Sequence, residues 1–364
     1  MIRGAALALA LAACSSPAPY TVRPEPAPSA APAPGPAPAP EVRALVFGDF
    51  GDRTPQQRAV AAAMAAAARR GSGAQVAFSL GDNLYECGPD PATPGARGCR
   101  FAEDGNAVAP GFAPPPDPLF SSLFEEPLAA LPPVPLYVAL GNHDVASGLW
   151  CGSAGLGDRE LGRLRACLSV AHRSARWTMP GRHYVVDQGP IRFAVIDSNV
   201  LTGGYGGFDV EGEAAFLAEA ARTRGGRLLF VVGHHPPATA GEHAAQHDAD
   251  YVARVRRLQD AAGGEITAWL AGHDHDLQHL RAAAGYDVLV SGNTARGRPQ
   301  ERFERVAPVS ARLLFASTEW GFLLVDASRG HWAARFENHR GEPVHCCRAV
   351  PPGRCQPIAC PAER

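Results

Sequence analysis

Five short clusters of polar residues each close an apolar run in this chain. They are Gly48-Asp49-Phe50-Gly51, Gly81-Asp82-Asn83-Leu84-Tyr85, Gly141-Asn142-His143-Asp144, Gly233-His234-His235-Pro236 and Gly272-His273-Asp274-His275. Their side chains are carboxylates, a phenol, an amide and imidazoles, a mixture of oxygen and nitrogen donors that suits two hard or borderline cations. Two such cations held close together lower the pKa of bound water and clamp attacking and departing oxygens. Hydrolysis on that plan needs no serine or cysteine nucleophile. Any one cluster is weak evidence, because Gly-Asp turns and Gly-His pairs are common; five in this order are not a chance pattern.

The runs that lead into the clusters must position them. Ala44-Leu45-Val46-Phe47, Val76-Ala77-Phe78-Ser79-Leu80, Pro135-Leu136-Tyr137-Val138-Ala139-Leu140, Leu228-Leu229-Phe230-Val231-Val232 and Ile266-Thr267-Ala268-Trp269-Leu270-Ala271 all read as short strands stopped by glycine. Near-continuous hydrophobicity implies that both faces of the sheet are covered. The polar residues then sit just past strand C-termini, where open α/β sheets place ligands.

With these motifs in view, the chain resembles the calcineurin-like metallophosphoesterases, and within them the purple acid phosphatases of the small, tartrate-resistant type. Tyr85, three residues after Asp82, carries the narrower resemblance. Asp117-Pro118-Leu119-Phe120, Arg176-Trp177-Thr178-Met179-Pro180, Ile196-Asp197-Ser198-Asn199 and His273-Asp274-His275-Asp276-Leu277-Gln278 extend it, over roughly residues 42–340. The resemblance implies a four-layer αββα sandwich. It also implies a binuclear centre in which Asp49, Tyr85 and His275 hold a first metal, Fe(III), and Asn142, His234 and His273 hold a second, Fe(II), Zn(II) or Mn(II). Asp82 would bridge the two. Donor chemistry agrees with that division, since carboxylate and phenolate suit a trivalent ion and imidazole and amide a divalent one. Asp49, Asp82 and a Tyr85 phenolate would offset most of the metal charge, leaving enough to favour a phosphate ester dianion.

A bridging or metal-bound hydroxide is the expected nucleophile. His143 and His243 match histidines beside the substrate in the family and are the expected acids for the leaving alcohol, a role worth roughly 10²–10⁴ in rate. The bland alternative for His243 is an exposed loop residue. His235 is an extra imidazole beside a ligand, without an assigned role. His172, His183, His247, His279, His331, His339 and His345 lie in no such motif and are expected to be structural or surface residues.

The N-terminus points out of the cytoplasm. Arg3 and the apolar residues 5–13 are too short for a permanent membrane span, and Leu11-Ala12-Ala13-Cys14 resembles a bacterial lipobox. Residues 1–13 are thus expected to be a lipoprotein signal, with Cys14 lipid-modified and the membrane as a partner; an ordinary secretory signal is the competing reading. Residues 14–41, rich in proline and alanine, are expected to be an extended tether. Residues 42–345 would form the catalytic domain and residues 346–364 a cysteine-rich tail. Setting Cys14 aside, the nine cysteines leave eight, an even count that reads as disulfides in an exported chain. Local pairing of Cys87 with Cys99 and of Cys151 with Cys167 would staple two loops. In the tail, Cys346 and Cys347 would pair with Cys355 and Cys360 in one of two ways, with a zinc site as the alternative.

Formal net charge is −2, which gives no electrostatic argument for nucleic acid, and every basic residue is arginine, which rules out a lysine acid or base. Residues 59–68 are expected to be the helix after the first strand. Residues 211–223 are expected to form another, with Ala215, Phe216, Leu217 and Ala220 inward. Beyond His275, residues 286–291, 311–317, 321–326 and 331–338 read as strands. The expected activity is hydrolysis of phosphate monoesters of small molecules. A phosphodiesterase or nucleotide pyrophosphatase on the same metals is the near alternative, and a non-catalytic iron-binding lipoprotein the distant one.

Overall fold

Each apolar run named above becomes a strand buried on both faces. The computed structural model describes residues 19–23, 40–146, 151–152, 155–299, 302–303, 311–349 and 353–361; Cys14 and most of the proline-rich segment lie outside them. In chain order come β1 (Thr21–Val22), β2 (Val42–Phe47), α1 (Pro55–Ala67), β3 (Val76–Ser79), β4 (Leu136–Val138), α2 (Asp158–Ala171), β5 (Tyr184–Gln188) and β6 (Ile191–Val195). Then follow α3 (Val210–Arg222), β7 (Leu228–Val232), α4 (Ala249–Ala261), β8 (Ile266–Ala271), β9 (Leu277–Ala282), β10 (Asp287–Ser291) and β11 (Ala311–Ser317). The chain finishes with β12 (Gly321–Ser328), β13 (His331–Asn338), β14 (Pro343–Ala349) and β15 (Gln356–Ile358).

Among the described residues these strands form two sheets, in the orders β1-β11-β9-β10-β8-β7-β6-β5 and β15-β14-β13-β12-β2-β3-β4. One core lies between them. Phe230 and Val232 of β7, and Ala268 and Leu270 of β8, join it together with Phe47, Phe78, Phe322 and Phe336. Their neighbours Leu229, Val231, Trp269 and Ala271 point the other way, into a second core under α3 and α4. That alternation is why the sequence shows unbroken apolar runs. With α1 against the outer side of the other sheet, at β12, the layers are those of a metallophosphoesterase sandwich.

Within the sheets, β2, β3 and β4 are parallel, as are β6, β7, β8 and β10. The two parallel sets turn their C-terminal ends toward one place. All five polar clusters gather there.

Four sequence expectations need correction. Helix α3 buries Glu213, Ala214, Leu217, Ala220 and Ala221, while Ala215 is exposed and Phe216 half-buried. Its face is turned because Glu213 is drawn inward by His183 Nδ1 at 2.9 Å and Arg182 Nη1 at 3.4 Å. The disulfides at the site's rim are Cys87–Cys151 and Cys99–Cys167, with Cα separations of 5.4 and 5.9 Å, so they cross-link the two loops instead of closing each one. Helix α2 and residues 96–98 pack side by side, which brings Cys167 to Cys99. In the tail, Cys346–Cys360 and Cys347–Cys355 are bonded, and the first of each pair lies within β14, so residue 345 marks no break in the sheet. Finally, part of the expected tether is docked. Thr21 and Val22 pair with Ser317 and Ala316 of β11, and Tyr20 stacks on Phe303. Tyr20-Thr21-Val22 is a short β-favouring break in the prolines, which explains the exception.

Candidate metal centre

Two groups of donor atoms face each other across Asp82. In the first, the Tyr85 hydroxyl donates to Asp49 Oδ1 at 3.0 Å and lies 3.2 Å from His275 Nε2, which is 3.4 Å from Asp49 Oδ1. In the second, Asn142 Oδ1 is 2.9 Å from His234 Nε2 and 3.1 Å from His273 Nδ1, with 3.2 Å between the two nitrogens. Asp82 Oδ1 lies 3.4 Å from His234 Nε2, and its carboxylate also meets the Tyr85 hydroxyl. Ligands at ~2.0–2.2 Å from one ion sit about 3 Å apart when adjacent on an octahedron. Both groups match that spacing.

Backbone strain is concentrated here. Asp49, Asp82 and His273, at φ +57°, +53° and +71°, are the non-glycine residues with positive φ among those described. Such conformations cost of order 1–3 kcal/mol and persist where the surroundings over-determine them. Close approach explains two of the glycines. A Cβ on Gly141 would lie 2.1 Å from Asp82 Oδ1, and one on Gly272 would lie 2.5 Å from Asp49 Oδ2. Hydrogen bonds orient the imidazoles: His234 Nδ1–H donates to the Leu80 carbonyl at 2.9 Å, which leaves Nε2 with a free lone pair for a cation.

The electrostatics suit cations. Asp49 and Asp82 are buried, and burial pushes the Asp49 carboxyl up to about 7, with the Asp82 charge adding to the rise. Burial also opposes ionisation of Asp82, but His234 and His143 outweigh it and hold that carboxyl below its usual range. Burial, then the two carboxylates, push the Tyr85 phenol well above its ordinary value, so only a strong local positive charge would ionise it. Burial keeps His273 well below, and His275 at about 3, so both stay neutral with a lone pair to give. These residues fit two metal ions.

Residues 42–277 match the calcineurin-like phosphoesterase family. The chain belongs to that family. Human tartrate-resistant acid phosphatase type 5 is 27% identical over 308 residues, 78% of this chain and 81% of that one. Two solved structures share the fold: GAP50, the anchor in the inner membrane complex of Plasmodium, and purple acid phosphatase PPD1 from yellow lupin (Lupinus luteus) seeds. The first aligns with a TM-score of 0.61 at 16% identity, covering 85% of this chain and 88% of its own; the second with 0.57 at 15%, covering 87% and 55%. The chain is a phosphoesterase-family hydrolase with distant similarity to the tartrate-resistant purple acid phosphatases.

Both expected acids of this phosphoesterase stand beside the donor groups. His143 Nδ1–H donates to the Glu86 carbonyl at 2.6 Å, leaving Nε2 outward, 3.9 Å from Asp82 Oδ2. His243 is not an exposed loop residue. Its side chain is 14% exposed, its ring stacks on His273 at 3.9 Å, and Nδ1–H donates to Asp274 Oδ1 at 3.0 Å. Burial works against the His243 imidazolium, but that carboxylate prevails and raises its pKa; Asp274 itself is held at about 2.

Some site residues escaped the sequence reading. Asp144 accepts from the N–H groups of Asn83, Leu84 and Gly141 and from the Asn83 amide, fastening the Asp82 turn to the Asn142 turn. Burial and the Asp82 charge push its carboxyl up to about 8, yet four donors on two oxygens leave no acceptor for a proton, and the hydrogen bonds decide for the ionised form. His235 also receives a place. Ser198 Oγ accepts from the N–H groups of His234 and His235, so its own proton goes to His235 Nδ1 at 3.0 Å. The proton of His235 is therefore on Nε2, and this imidazole has no lone pair for a metal. Arg296 and Arg298, on the loop after β10, are site neighbours with no motif to announce them. A run of cations among small residues could have drawn attention to them.

Proposed function

We propose that this chain hydrolyses phosphate monoesters in the manner of an acid phosphatase. Asp49, Tyr85 and His275 would hold Fe(III), Asn142, His234 and His273 would hold Fe(II), Zn(II) or Mn(II), and Asp82 would be shared. The observation that carries this reading is the separation of the donors into an anionic and a neutral group, each with about 3 Å spacing, around one carboxylate. When bound, the ions would supply charge for the phosphoryl oxygens and an activated water. His143 and His243 flank that position. His243, held by Asp274 with Nε2 outward, would protonate the departing alcohol, and His143, as the imidazolium, would donate from Nε2 to an oxygen of the phosphoryl group. The phenol of Tyr85 and the similarity to tartrate-resistant acid phosphatases favour the monoester reading over a diesterase. Metal analysis of the purified protein, with rates on a monoester and a diester, tests it. Two metals and a faster monoester rate are expected; metal-replete protein inactive on both substrates would overturn it.

We also propose that the chain is an exported lipoprotein anchored through Cys14. Its disulfides support an oxidising compartment. No helix among the described residues is long and apolar enough to cross a membrane. Cys14→Ser should abolish lipid labelling; an unmodified N-terminus on the soluble parent protein would refute the anchor.

A further inference from the structure

The loop that follows β10 carries two arginines with one glycine between them. A Cβ on Gly297 would come within 2.8 Å of the Trp320 ring and 2.7 Å of Asn293 Oδ1, so the chain is pressed down at that point. The flanking side chains go to different partners. Arg296 donates to Asp52 Oδ2 at 2.9 Å and to Glu86, and its guanidinium lies 3.9 Å over the Tyr85 ring. Two carboxylates and an aromatic face leave it little to offer a ligand.

Arg298 differs in each respect. Its Nε meets Glu242 Oε2 at 2.5 Å, but the Glu242 side chain is 66% exposed, so solvent screens that pair. Its Nη2 lies 3.4 Å from His243 Nε2, and its Nη1 is buried with no hydrogen-bond partner among the described residues. His243 Nδ1–H donates to Asp274, and Nε2 is the atom that faces Arg298. The His243 ring in turn stacks on His273 at 3.9 Å and stands 6.4 Å from His275, one histidine from each donor group. A guanidinium with one buried, unpaired N–H group thus sits beside Nε2 of an expected acid, next to the donor groups. A buried guanidinium N–H left without a partner is costly, and an anionic oxygen is the partner that satisfies it best.

We infer that Arg298 is a substrate-binding residue that takes phosphoryl oxygens through Nη1 and Nη2, next to His243. The inference deepens the phosphomonoesterase reading and rests on it for the identity of the site. Its ligand chemistry is an ionised phosphoryl group, for which the planar fork of arginine is matched in geometry as well as charge. That group is either the one being transferred or a second one carried by the leaving group.

Calorimetric binding of inorganic phosphate to the metal-loaded protein tests this without turnover, alongside kinetics on p-nitrophenyl phosphate and inorganic pyrophosphate. Arg298→Ala should keep its metals and either weaken phosphate binding and raise KM for p-nitrophenyl phosphate at least about tenfold, or raise KM for pyrophosphate alone. The first result assigns Arg298 to the transferred group and the second to the leaving group. Arg298→Lys, with charge but no fork, should recover only part of the loss. Unchanged phosphate binding and unchanged KM for both substrates in a metal-replete Arg298→Ala protein would overturn the inference. If the parent binds phosphate but turns over neither substrate, the monoesterase reading falls, while weaker phosphate binding by Arg298→Ala would still uphold the contact.

Discussion

The two donor groups are built alike and charged differently. Each gathers atoms at about 3 Å spacing from three strand ends, and each straddles both sheets: β2, β3 and β8 supply Asp49, Tyr85 and His275, while β4, β7 and β8 supply Asn142, His234 and His273. The first brings a carboxylate and a phenol; the second brings an amide and two imidazoles with no acid of its own. Geometry alone would therefore seat similar ions in both. In the proposed assignment that difference in charge would separate a trivalent from a divalent site, and Asp82, which faces both groups, would make them one centre.

Removing that shared residue should have the largest effect. Asp82→Ala takes a ligand from both groups, so elemental analysis should find both metals lost, and activity should fall at least about 10³-fold. Retention of both metals would show that Asp82 bridges nothing. Next in size is the proposed acid, His243, which stands beside both groups. His243→Ala should keep its metals and lose about 10²-fold in kcat on substrates with poor leaving groups; an equal loss on p-nitrophenyl phosphate, which needs no proton, would count against that role.

Tyr85→Phe acts on the asymmetry itself. Phenylalanine has no oxygen to donate, so a visible phenolate-to-iron band in the oxidised parent should vanish while Asp49, Asp82 and His275 still hold the first ion. The first group should then drift toward divalent occupancy and the optimum toward higher pH. A variant that keeps the band, or a parent without one, would dissolve the distinction between the groups. Asp274→Asn should give the smallest change. The Asp274 carboxylate raises the pKa of His243 above the ordinary imidazole value, so the acid form survives to higher pH than it otherwise would. Loss of that charge lowers the pKa, and the alkaline limb of the kcat profile should move to lower pH. A limb that stays in place would mean that His243 is not the group titrating there.

The residues of the candidate centre could be picked out in sequence because its parts are local. A buried strand, a glycine and a polar residue leave a readable mark within a few positions, and five marks give seven donors. Strands β10 to β13 were legible for the same reason. What escaped depends on contacts distant in sequence. Cys87 is closer in the chain to Cys99, yet the packing of α2 against residues 96–98 gives Cys99 to Cys167 and leaves Cys87 to Cys151. Arg296 and Arg298 belong to the site through a sixth strand end whose loop has no donor motif. The inward face of α3 turned on a buried glutamate, Glu213, that a rule of apolar faces assigns to solvent.

Strand β2 runs parallel to β3 on one side and antiparallel to β12 on the other, with Val46 opposite Leu323 and Leu45 opposite Leu324. The stretch that carries Asp49 is therefore flanked by residues almost three hundred positions later. Until β12 is present, β2 exposes an unpaired edge and an apolar face, and bringing the two together closes a very long loop. Contacts of that range make for slow folding. During synthesis the first candidate ligand to emerge would thus be among the last to be locked in place, and a chain cut anywhere before residue 321 would leave it on an open edge, prone to pair with other chains.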